Sequence, residues 1–216
     1  MGSSRISPLQ RDLLQAFFER ERGFVLTGGT ALGGFHLGHR ESKDLDLFGR
    51  PPLRLEGAEL ALKDAARACG AVLSTQIRYD ELRRFLAERG HESTLVDLVI
   101  DRAPVIDPDP VEFGRILVHS KREIAANKLC TLLSRCEIRD LVDVKALLES
   151  GIQLEQALDD AENKDGGMNP ATLGWILSEL SIAPDAPIAG GVDAADLDRF
   201  RRDLVQKLRT LALPKA

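Results

Sequence analysis

The segment from Val25 to Phe48, VLTGGTALGGFHLGHRESKDLDLF, constrains this chain more than any other part of it. The short apolar run Phe24-Val25-Leu26 is cut by Gly28-Gly29, and apolar residues then recur at helical spacing from Thr30 to Leu37. That order predicts a buried strand, a tight turn and a helix, with Thr30 or a flanking glycine as the cap. Glycines let the backbone approach a ligand, and the first helical turn offers unpaired N–H groups at its positive end, an arrangement that binds phosphate. Taken alone, Gly-Gly-Thr is a weak motif that serves equally as an ordinary capped turn. It lacks the Gly-Lys-Ser/Thr ending of a P-loop, and Gly29 to Gly34 lacks the spacing of a dinucleotide fingerprint.

Downstream, Lys43 to Phe48 alternates polar and apolar residues as a half-buried strand does. Asp44 and Asp46 are two apart and so share one face. Two neighbouring carboxylates repel unless a cation or a base neutralises them, and burying them is costly unless they bind metal. Magnesium suits such a site, using one or two carboxylates together with substrate phosphates. The competing reading is a solvated strand face. The combination of phosphate turn and carboxylate pair, in this order and at this spacing, is far more specific than either part.

At these residues the chain resembles a known family. Gly28-Gly29-Thr30-Ala31-Leu32, followed by Arg40, Ser42 and Asp44-Leu45-Asp46, is similar to the signature of the AbiEii/AbiGii-type nucleotidyltransferases, within the DNA polymerase β-like superfamily. The resemblance implies an α/β (α+β) fold, a mixed sheet flanked by helices. It implies that Gly28, Gly29 and Thr30 hold the nucleoside triphosphate, ATP or another NTP, and that Asp44 and Asp46 bind two magnesium ions, with manganese as an alternative. Arg40 and Ser42 match positions flanking the site. The superfamily pattern also asks for a third acid on a neighbouring strand. Asp97, inside the apolar run Leu95 to Ile100, fits as third metal ligand and acceptor-activating group; Asp101 competes for the role, and an Asp97 facing water on an edge strand is the bland alternative.

The rest of the chain supplies context. Helices are expected over 8–21, with Pro8 at the first position after Ser7, and from about Gly57 to Ala68. Strands are expected over Ala71–Tyr79, Leu82–Glu88 and Thr94–Ile100, with Gly90-His91 as the turn, and over Ile116–His119. Asp107-Pro108-Asp109-Pro110 breaks the chain, and beyond Ser120 the pattern is helical throughout, near 121–134, 139–149, 153–163, 169–181 and 193–211. The composition thus shifts from α/β to all-α, dividing the chain into a core over 1–119 and a helical domain over 120–216 packed on it.

In the helical half, Ser120 and Glu123 have capping-box spacing, and Arg139 and Asp143 stand at i,i+4. The string Lys128, Arg135, Arg139-Asp140, Asp143 reads as a solvated charged face. It also resembles the family's C-terminal motif, which implies that Lys128 meets the β/γ-phosphates while Arg135, Arg139 and Asp140 support the site. His36 and His39 lack the further ligands of a zinc site, and Trp175 is expected in a helix-packing core.

Composition narrows the remaining choices. Of 216 residues 44% are hydrophobic, enough for a sizeable core, and the net charge of -5 gives no global attraction to nucleic acid or anionic lipid. Cys69, Cys130 and Cys136 form no C-x-x-C pair and are expected as reduced, buried thiols. Neither a signal peptide nor an apolar membrane span is expected, so the chain is placed in the cytoplasm, with no membrane partner. The family likeness implies RNA, such as tRNA, as acceptor and a cognate antitoxin as partner. Two rivals stay open: an enzyme of this fold acting on a small molecule such as an antibiotic, and a nucleotide-binding module without turnover.

Overall fold

Seven strands form one mixed sheet in the computed structural model, which describes residues 5–213. The first helix, α1 (Pro8–Phe18), starts at a capping box: the Ser7 side chain accepts from the Gln10 N–H at 3.2 Å, and Gln10 Oε1 accepts from the Ser7 N–H at 3.0 Å. Strand β1 (Val25–Thr27) runs into α2 (Gly28–Ala31), which continues as a π-helical turn over Leu32–His36. The helix expected over Thr30–Leu37 therefore begins at Gly28. Its cap is Thr27, which makes no side-chain capping bond, and not Thr30.

Next come β2 (Asp44–Gly49), α3 (Leu55–Ala68), β3 (Val72–Arg78), β4 (Leu82–Arg89), β5 (Glu92–Ile100), β6 (Val111–Phe113) and β7 (Ile116–Val118). The sheet order is β3-β4-β5-β2-β1-β7-β6. Strand β2 is central, antiparallel to β1 and parallel to β5, while β3-β4-β5 form an antiparallel meander. One sheet face carries Leu26, Leu45, Leu47, Phe85, Val96 and Leu98, all essentially inaccessible, against α1 and α3. Removing these side chains from water is the main source of the unit's stability. Strand β6 is absent from the expectations. Its three residues follow Asp-Pro-Asp-Pro, and they are too few to show a period.

The chain divides into two compact units. One runs as far as Arg102 and resumes over Asp107–Ser120; the other holds Ala103–Ile106 and the described residues from Lys121 onward. The second unit is helical, with α4 (Lys121–Ser134), α5 (Ile138–Glu149), α6 (Leu154–Lys164), α7 (Pro170–Glu179) and α8 (Ala194–Leu211). Asn169 caps α7 and Asp193 caps α8 through their side chains.

Two expectations need correction. Trp175 is 66% exposed, on the outer side of α7, because Leu173, Gly174 and Leu177 supply the buried stripe. The cysteines are free thiols of intermediate exposure and not fully buried hydrophobes, although burial pushes the Cys130 thiol up to about 11. In the first turn of α4, Glu123 accepts from the Ile106 N–H at 2.8 Å and pairs with Lys164 at 2.5 Å. Among the described residues no helix is long and apolar enough to cross a membrane.

An ionic cluster ties α3 to the meander. Glu59, buried at 5% exposure, receives Arg83, Arg78 at 3.0 Å and Lys63 at 2.7 Å. Burial pushes its carboxyl up, but hydrogen bonds from Lys63, Arg78 and Arg83 outweigh this and hold it at about 2, against 4.5 unperturbed. A carboxyl depressed in the folded state stabilises above its unfolded value and loses that contribution as pH falls through the folded value. Acidification from pH 5 to pH 2 should therefore remove about 3 kcal/mol through this residue alone. Urea unfolding across that range should show a shallower pH dependence in Glu59→Gln, which will also be less stable at pH 7.

Candidate active site

The face of the sheet opposite α1 and α3 carries the acids. Thr27 pairs with Asp46 across β1 and β2, Asp46 with Asp97 across β2 and β5, and Asp97 with Arg84 across β5 and β4. Directly paired residues point the same way, so Thr27, Asp46, Asp97 and Arg84 form one transverse row, with Asp44 two residues before Asp46 on the same face. Asp44 and Asp46 are half-buried, and Asp97 is 9% exposed. Asp101 lies beyond the last residue of β5 and is outside this row.

The glycine turn closes over one end of the row. Gly28 has φ +70°, and a Cβ placed there would stand 2.1 Å from Asp46 Oδ2. Only glycine allows both the left-handed backbone and the close approach of the carboxylate. Gly29 leaves room for the Arg40 guanidinium and the Ser42 hydroxyl, which a Cβ would meet at 2.6 and 2.9 Å. Arg40 is buried and donates through Nη1 to the Glu41 carbonyl at 2.9 Å. The Thr30 hydroxyl donates to the Asp44 carbonyl, fastening the helix to β2. Gly28, Gly29, Thr30, Arg40, Ser42, Asp44, Asp46 and Asp97 thus lie around one strand end. Gly28→Ala should lower transfer by about 100-fold through displacement of Asp46 and cost about 1–3 kcal/mol of stability; rate and melting measurements on the same preparation check both.

Two residues outside the motif hold the approach to β2. Gln10 Nε2 donates to the Ser42 carbonyl at 3.0 Å and to Thr94 Oγ1 at 3.3 Å, and Thr94 Oγ1 donates to the Lys43 carbonyl at 2.6 Å. A buried amide whose Nε2 makes both these bonds while its Oε1 accepts from the Ser7 N–H fixes the backbone immediately before Asp44.

Arg84 also lay outside the expected set. Its Nε and Nη2 reach Asp97 Oδ1 and Oδ2 at 2.7 and 2.6 Å, a bidentate pair. That hydrogen bonding, with the nearby charges of Asp97, Asp44 and Asp46, raises the guanidinium pKa further against the opposing effect of burial. The signal was present in the sequence: a hairpin turning at Gly90-His91 pairs Arg89 with Glu92, and counting back along it places Arg84 opposite Asp97.

The basic motif of the helical half lies within the second unit. Lys128 Nζ stands 2.8 Å from Asp140 and 2.6 Å from Asp143, both carboxylates being fully buried, and Arg135 Nε reaches Asp140 at 3.0 Å. Burial pushes the Asp140 carboxyl up, but Lys128 and Arg135 outweigh it and keep the carboxyl below its usual range. The expected Arg139–Asp143 pair does not form: Asp143 turns to Lys128, and Arg139 pairs with Glu137 at 2.6 Å. His36 Nε2 lies 2.8 Å from the His119 carbonyl, and the His36 ring meets Phe113 edge-on.

A family model described as "Nucleotidyl transferase AbiEii toxin, Type IV TA system" matches residues 11–214. The chain belongs to the AbiEii nucleotidyltransferase family. The match spans both units. A candidate nucleotidyltransferase of H. pylori shares 20% identity over 95% of this chain and 96% of its own, with a TM-score of 0.58. JHP933 from Helicobacter pylori shares 21% over 94% and 91%, with a TM-score of 0.56. At such identities the likeness is one of fold. A search of curated protein sequences finds no match.

Proposed function

We propose that this family member transfers a nucleoside monophosphate from an NTP to an acceptor hydroxyl, with Asp44 and Asp46 holding divalent magnesium or manganese. The observation that carries this reading is the Asp44/Asp46 face beside the glycine turn, with Asp97 in register next to it. The residues fit the cation. Asp44 and Asp46 share one face, Gly28 leaves Asp46 room that any side chain would fill, and substrate phosphates supply the remaining oxygens that magnesium requires. Among the described residues no group of three or more His, Cys, Asp or Glu is gathered to hold an ion, in keeping with the engagement of Asp97 by Arg84.

In the reaction the acceptor oxygen forms a bond to the α-phosphorus, the bond from that phosphorus to the bridging oxygen breaks, and pyrophosphate leaves. A divalent cation held by Asp44 and Asp46 would neutralise charge at the phosphates and make the acceptor hydroxyl more acidic. The Gly28–Thr30 turn positions the triphosphate by backbone N–H groups, and Asp97 receives the acceptor proton. The family resemblance assigns Lys128 to the β/γ-phosphates, with Arg135, Arg139 and Asp140 in support. The acceptor is an RNA such as tRNA, the setting a type IV toxin–antitoxin pair with a cognate antitoxin, and the compartment the cytoplasm; the family description supports the pairing.

The test incubates the protein with each of four α-labelled NTPs, magnesium and total RNA. One NTP is expected to label RNA. Labelling of a small hydroxylated acceptor and never of RNA would replace the RNA assignment, and NTP binding without turnover would leave only a binding module.

A further inference from the structure

We propose that Arg84 is a resident counter-ion of the acidic row, occupying Asp97 in competition with a divalent cation. The inference rests on the cation-binding reading of Asp44 and Asp46 given above and adds a control to it. Three carboxylates on one sheet face repel one another, and the row is tolerable without a bound cation only if a positive group stands among them. The cross-strand register pins Arg84 opposite Asp97, and its fork uses both Asp97 oxygens, at 2.7 and 2.6 Å. Asp97 is 9% exposed, whereas the Arg84 side chain is 39% exposed. The guanidinium can therefore swing away without being buried elsewhere, while the carboxylate stays with the strand. Neighbouring Asp44 and Asp46 add to the field that holds the guanidinium. A lysine at this position would give a point charge and no fork.

The consequence is a site that takes up a bare cation weakly. The cation and the triphosphate then enter together, phosphate oxygens adding ligands as the guanidinium swings away from Asp97. Removing Arg84 deletes a unit charge a few ångströms from the site and frees Asp97, which should tighten cation binding by about tenfold or more.

Manganese titration of the whole chain, followed by the electron paramagnetic resonance signal of free Mn²⁺ without nucleotide, reads this directly. R84Q should bind Mn²⁺ about tenfold more tightly than the unmodified protein, and D97N added to R84Q should cancel the gain. R84K, which keeps the charge and loses the fork, covers the case in which R84Q does not fold, with an expected gain of about threefold. Unchanged or weaker binding in these variants, with D46N abolishing binding in the parent, would overturn the role of Arg84 and leave the proposed function standing. Binding in R84Q that D46N leaves intact would remove the cation site itself.

Discussion

Asp46→Asn should lower nucleotidyl transfer by about 10³-fold or more, because several kcal/mol of transition-state charge stabilisation depend on an ionised carboxylate at that point. The substitution keeps the shape and one carbonyl oxygen, so the contact with the Gly28 turn survives. It also removes one of three like charges, with Asp97 in register beside it and Asp44 on the same face. Stability should consequently hold or rise while activity collapses. Single-turnover rates and thermal melting together check this separation. A melting temperature that falls in step with activity would mean that Asp46 supports the fold and nothing more. Asp44→Asn should behave in the same way.

Lys128→Met should have the largest effect on stability, about 3–5 kcal/mol, because it removes the cation from between two buried carboxylates. Asp140 and Asp143 are both fully buried and both lie within 2.8 Å of Lys128 Nζ. Arg135 alone would then compensate Asp140. Replacing both acids as well, in Lys128→Met/Asp140→Asn/Asp143→Asn, should recover much of the loss, since the cost comes from uncompensated buried charge and not from a missing contact. Urea denaturation of the two variants measures the difference. A small effect in Lys128→Met, paired with a raised KM for NTP, would instead give Lys128 chiefly a phosphate-binding role.

The strand, glycine turn and acidic strand were legible because local chemistry decides them. Only glycine fits φ +70° against Asp46, and period-two alternation defines β2. The meander was legible for the same reason, down to the turn at Gly90. What the sequence concealed depends on tertiary contacts. Asp143 is at i,i+4 from Arg139, a spacing that favours pairing on an isolated helix, yet it turns to Lys128 of α4. The buried Glu59–Arg83 pair exists only where α3 packs on β4. Trp175 is apolar and lies in an apolar helix, but three smaller neighbours fill the buried stripe. Arg84 lay between these cases: hairpin counting places it opposite Asp97, and what that pairing means emerges only from the acidic row around it.

Nucleotidyl transfer is tested most directly by following the two ends of the triphosphate separately. α-Labelled and γ-labelled NTP are each incubated with magnesium, total RNA and either the unmodified protein or Asp46→Asn. α-Label should appear on the acceptor and γ-label in pyrophosphate, both lost in the variant. γ-Label on the acceptor, or transfer that persists in Asp46→Asn, would contradict it.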